Sequence, residues 1–168
     1  MTLEGLNGLD MGALREVLSG CCGSQAWVRG MMDVFPVRNV PGLLEAAGRI
    51  WHACSPKDWL EAFDHHPRIG DMQALREKYA GTGASLEQAG ALDASVKVLE
   101  ALAEGNRVYE GKFGYIFIVC ATGRTAGEML GLLRARLGND PERELVIAMG
   151  EQEKITELRL KKLLSWPG

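Results

Sequence analysis

The residues best suited to chemistry crowd into one stretch, Phe63-Asp64-His65-His66-Pro67-Arg68-Ile69-Gly70-Asp71, which holds two of the three histidines. Imidazole titrates near neutrality, so it takes or gives a proton at little cost. Proline pushes the residue before it out of the helical region, so His66 is expected at a break in the backbone. Arg68, Asp64 and Asp71 add charge of both signs. Two readings stand side by side: a solvated turn at a helix end, and a proton-transfer site. Metal binding fits poorly, because the third histidine, His52, lies well upstream and neither a zinc helix motif nor paired cysteines occur.

A second polar cluster, Ser85-Leu86-Glu87-Gln88, follows later. Its plain reading is a helix start with an acid in the first turn. Gly81-Thr82-Gly83, just before it, lacks the lysine and further glycines of a phosphate loop and reads as a helix-connecting turn.

The elements that must position these groups are helical. The 168 residues suffice for one domain with one core. Apolar residues at 46% and charged residues at 24% are a globular mix. A net charge of −3 and a pI near 5.7 argue against nucleic acid or an anionic membrane as the main partner. No apolar stretch reaches the ~20 residues of a membrane span, and Met1–Asp10 lacks the pattern of a secretory signal. Cys21, Cys22, Cys54 and Cys120 form no disulfide or zinc spacing, which suits reduced thiols in the cytoplasm.

Asp10 caps a helix with Leu14, Val17 and Leu18 on one face, ending near Gly20. A loop over 21–27 leads to a short helix with Val28, Met31 and Met32. Asn39 and Pro41 open a helix whose stripe is Leu43, Leu44, Ala47, Ile50, Trp51 and Cys54. Ser55-Pro56-Lys57-Asp58 starts the next, with Trp59, Leu60 and Phe63 inward. Asp71 caps a helix through Tyr79. From Asp93 a long helix turns Val96, Leu99, Leu102 and Ala103 inward and reaches Asn106 and Tyr109. The apolar run 113–121 reads as an extended segment or a buried helix, with no second strand to pair with it. Thr125 and Glu128 form a capping box before Met129, Leu130, Leu133 and Leu137. Asp140-Pro141 opens a last helix with Leu145, Ala148, Ile155, Leu158 and Leu163 as its core face. The expected fold is all-α, one compact helical bundle of about seven to nine helices spanning 1–168.

The chain resembles the 2-oxo-4-hydroxy-4-carboxy-5-ureidoimidazoline (OHCU) decarboxylases of urate breakdown. The matching pieces are His66-Pro67-Arg68-Ile69-Gly70, Glu87-Gln88-Ala89, Asn106 with Tyr109, Lys112-Phe113-Gly114, Glu144-Leu145 and Arg159-Leu160, in the family's order. The resemblance implies a cofactor-independent lyase that removes carbon dioxide from OHCU to leave (S)-allantoin, in an all-helical, often homodimeric protein. It implies that His66 is the catalytic histidine and that Glu87 orients it. It places Pro67, Ser85, Gln88, Phe113, Ile118, Val119, Cys120 and Arg124 around a small anionic heterocyclic substrate. Thr122 stands where the family's anchoring arginine falls by direct count, and Arg124 takes that part. Two rivals predict different outcomes: a hydrolase of a neighbouring ureide intermediate opens a ring without losing carbon dioxide, and a non-catalytic helical binding module turns nothing over.

Overall fold

The structure, a computed structural model, describes residues 1–67 and 89–165, with side chains of the second span from residue 96. The described residues hold eight helices and no strand: α1 (Leu3–Asn7), α2 (Met11–Cys21), α3 (Gln25–Met32), α4 (Val40–Ala53), α5 (Pro56–Asp64), α6 (Ala89–Phe113), α7 (Ala126–Leu137) and α8 (Pro141–Leu163). The fold is all-α, as the patterning requires. The expected helix from Asp71 to Tyr79 and the turn at Gly81–Gly83 lie outside the described residues. The chain gathers into two compact units, Met1–His65 with Ile147–Gly168, and His66–Val146.

In the first unit the helix starts follow their caps. Asp10 Oδ1 accepts from the Ala13 amide at 2.9 Å, and Asn39 Oδ1 from the Gly42 amide at 2.8 Å. Ser55 and Asp58 complete a reciprocal capping box on α5, with Pro56 in the first turn. Three indoles tie the helices through backbone carbonyls, each N–H···O being 3.0 Å: Trp27 to Ala47, Trp51 to Met149 and Trp59 to Trp51. Patterning overlooks α1, a short helix capped by Thr2 that buries Leu6 completely. On α5 Phe63 is buried as expected, with Ala62 beside it, while the expected inward Leu60 is exposed.

In the second unit α6 packs on α7 around Leu99, Leu102, Tyr109, Phe117, Met129, Leu130 and Leu133. Gly105 permits the close approach: a Cβ there would lie 2.4 Å from Leu133 Cδ2. α6 begins at Ala89, before the expected Asp93. It ends on Gly114, whose φ of +83° is the left-handed geometry of a helix stop. The run after it is neither strand nor helix. It is an irregular segment that reaches Gly123, again at positive φ, before the Thr125–Glu128 capping box opens α7.

The buried face of α8 differs from the apolar stripe read in the sequence. Leu158 is 39% exposed, while Glu144, Gln152 and Thr156 are buried beside Ala148, Met149 and Leu160. The true stripe steps by four residues through polar side chains. Burial is possible because each finds partners: Gln152 Nε2 donates to Thr156 Oγ1 at 3.2 Å, and Glu144 accepts from three donors.

Candidate active site

The histidine stretch is delivered by α5, and α5 is pinned along its length. Its start is the capping box. The Trp59 indole holds its middle to the end of α4. Glu61 accepts from the Gln25 amide at 3.2 Å, placing a carboxylate at the N-terminus of α3, where the helix dipole favours it. Phe63 is fully buried. His65 closes the helix as its C-cap, donating its amide toward the carbonyls of Ala62 and Phe63. His66 then stands at the expected bend, half-buried, and Pro67 is exposed. The earlier residue of the pair is the cap and the later one stands at the break.

His65 meets the loop between α2 and α3, Cys22-Gly23-Ser24. That loop is tightly held. The Cys22 amide donates to Leu18 O at 3.1 Å, Ser24 Oγ caps α3 by accepting from Trp27, and Arg159 Nη1 donates to Cys21 O at 3.2 Å. Arg159, quoted in the resemblance without a role, thus fixes the entry to this loop.

Burial pushes the Cys22 thiol up to about 11 from an ordinary value near 9, against hydrogen bonds from Ser24 and Thr156 that pull it down. Cys22 therefore reads as a packed thiol and not a nucleophile. Its folded value lies above its unfolded one, so its stabilisation is complete below pH ~9 and is lost as pH rises through ~11. Denaturant unfolding at pH 8 and pH 11 should show a fall in stability that is smaller in Cys22→Ala by on the order of 2–3 kcal/mol. An unchanged fall in the variant would contradict this.

In the second unit the remaining described residues lie on one continuous piece of chain. Phe113 ends α6 and packs its ring at a tilt against Tyr109, ring centroids 4.6 Å apart. Ile118 is buried, and Val119 and Cys120 are half-buried. Arg124 is half-buried, and its Nε donates back to Cys120 O at 3.3 Å, which fixes the guanidinium to its own loop. Glu87, Ser85 and Gln88 lie outside the described residues.

What holds this segment in place was not legible from hydrophobic patterning. Arg136, buried on α7, donates from Nη1 to Ile118 O at 2.6 Å and from Nε to Glu144 Oε1 at 2.7 Å. Tyr109 donates its hydroxyl to the same oxygen at 2.5 Å, and Asn139 Nδ2 donates to Glu144 Oε2 at 2.9 Å. Burial, then the hydrogen bond to Glu144, push the Tyr109 hydroxyl well above its usual range, so it stays a donor. The Arg136 guanidinium also lies 4.5 Å from the Phe117 ring centroid. Ile118 thus has its carbonyl committed to Arg136. Tyr109 and Glu144 stand among the pieces of the resemblance; Arg136 carries no signal in the sequence beyond an arginine amid leucines.

The family model described as OHCU decarboxylase matches residues 7–161. The chain belongs to the OHCU decarboxylase family. It is 40% identical over 147 residues to the uric acid degradation bifunctional protein TTL of Arabidopsis thaliana, a match covering 86% of this chain and 45% of that protein. Over 62 residues it is 39% identical to the 2-oxo-4-hydroxy-4-carboxy-5-ureidoimidazoline decarboxylase of Amia calva, covering 37% of this chain and 35% of that protein. These matches span less than half the length of either curated relative. A crystal structure of an OHCU decarboxylase in the presence of (S)-allantoin superposes with a TM-score of 0.73 at 39% identity, covering 90% of this chain and 98% of that one. Family and helical architecture therefore agree with the resemblance carried by His66-Pro67 and the later pieces.

Proposed function

We propose that this chain, as a single domain over 1–168, decarboxylates OHCU to (S)-allantoin. The observation that carries the reading is the family match from residue 7 to 161, together with a histidine fixed at a prolyl bend by an anchored helix. The substrate bears a carboxylate and a hydroxyl on one ring carbon, next to a ring carbon–nitrogen double bond. When the bond to the carboxylate breaks, carbon dioxide leaves, the electron pair forms a carbon–carbon double bond, and the nitrogen of the former carbon–nitrogen double bond takes up a proton from water. The resulting enol loses its hydroxyl proton and gains a proton on the neighbouring carbon, from one face. The ring is its own electron sink, so the reaction asks the protein for binding, orientation and proton transfer.

His66 serves as acid/base, taking the hydroxyl proton, and Glu87 sets its tautomer and orientation. Arg124 holds an anionic group, and backbone amides around Ile118 to Cys120 receive ring or ureido carbonyls. Gln88 and Ser85 bind polar edges, while Pro67 and Phe113 form walls. Four free thiols suit a reducing compartment such as the cytoplasm. Among the described residues no helix is long and apolar enough to cross a membrane. The assembly is proposed as a homodimer, on the resemblance alone.

Carbon-13 NMR of OHCU generated in situ from labelled urate tests the reaction type. Labelled carbon dioxide should appear with allantoin at an accelerated rate. Ring opening with the carboxylate retained would mark a hydrolase, and an unaltered rate would mark a binding module.

A further inference from the structure

Gly23 is buried, and the ring of His65 lies against it. A Cβ added at Gly23 would stand 2.4 Å from His65 Cγ, 2.6 Å from its Cβ and 2.8 Å from its Cδ2. These atoms sit at the root of the side chain. A change of rotamer moves the ring but not the Cβ, so relief requires movement of the backbone. Neither side has slack. The loop is held by the Cys22 amide, the Ser24 cap and the Arg159 bond to Cys21 O. The helix end is held by fully buried Phe63 and by Glu61 on the Gln25 amide. The residue that moves with His65 is its neighbour, His66.

We propose that Gly23 is a positioning residue for the reaction: its missing side chain leaves the room that His65 occupies beside the loop between α2 and α3, so that the next residue, His66, is not displaced. The inference rests on the decarboxylase reading for its kinetic consequence and on geometry alone for its structural one. His65 is the residue through which a side chain at position 23 would reach the imidazole. Acid/base catalysis is sensitive to such displacement, since a shift of ~1 Å can cost ~10²-fold in rate.

The test compares wild type, Gly23→Ala, His65→Gly and the double variant, all verified as folded by circular dichroism. Rates of OHCU loss give kcat and KM, and the proton resonances of the His66 ring report its surroundings. Gly23→Ala should lower kcat by ~10–10²-fold with a smaller change in KM, the mark of a group acting mainly after binding. It should also shift the His66 resonances. His65→Gly alone should stay close to wild type. The double variant, which removes the atoms a Cβ would strike, should recover both kcat and the resonances. A Gly23→Ala protein with wild-type kcat and unmoved resonances would overturn the proposal. So would a folded double variant that fails to recover, or a His65→Gly protein as impaired as Gly23→Ala. If wild type turns over no OHCU, the decarboxylase reading fails, and the resonances alone decide whether Gly23 positions His66.

Discussion

His66→Asn should lower the rate of OHCU decarboxylation by ~10²–10⁴-fold, the range a positioned acid or base supplies. Asparagine keeps the approximate size and some hydrogen bonding of imidazole but cannot exchange a proton near neutrality. The fold should be unaffected. His66 is half-buried at a bend, after a helix anchored by Trp59, Glu61 and Phe63. Thermal unfolding should therefore stay close to wild type while kcat falls. His65→Asn is the matched control, because that residue closes α5 through its backbone. Comparable loss in both variants would mean that the pair serves the helix end and not the chemistry.

Arg136→Met has the largest expected effect on stability. Glu144 is fully buried, and Arg136 supplies the cation beside it, with Nη2 at 2.6 Å from Oε1. Removing one member of such a pair leaves an uncompensated buried charge and costs about 3–5 kcal/mol. For a chain of this size that lowers Tm by roughly 6–20 °C. Ile118 O loses its donor in the same variant. Arg136→Met/Glu144→Leu should recover part of the loss, since replacing both charges with apolar groups is often neutral. Calorimetry of the two variants decides the point. A single variant within ~1 kcal/mol of wild type would show that the network does not hold the segment. The activity of the double variant is a separate readout, because it restores an apolar core without restoring the bond to Ile118.

Helix starts were legible because their signals are local. Asp10, Asn39, Ser55 and Thr125 each accept from an amide three residues on, and a serine or threonine paired with an acid three later makes a capping box. The break at His66 was legible for the same reason. The inner face of α8 was not. Glu144 looks like a solvent residue until Tyr109, Arg136 and Asn139 arrive from other parts of the chain, and no periodicity encodes partners that far apart. The apolar run after Phe113 posed a choice between strand and helix that neither answer fits. Its two flanking glycines, at positive φ, and a side-chain donor take the place of a ladder. Patterning likewise placed Gly23 in a loop without showing that its lack of a side chain accommodates His65.

The most direct test of the account is the handedness of the product. OHCU formed in situ from urate loses carbon dioxide in water with no face preferred, so uncatalysed allantoin carries no net circular dichroism. With the wild-type protein present, the dichroism of (S)-allantoin should grow in step with OHCU loss. Allantoin that forms no faster than in buffer, or that stays racemic, would contradict the assignment.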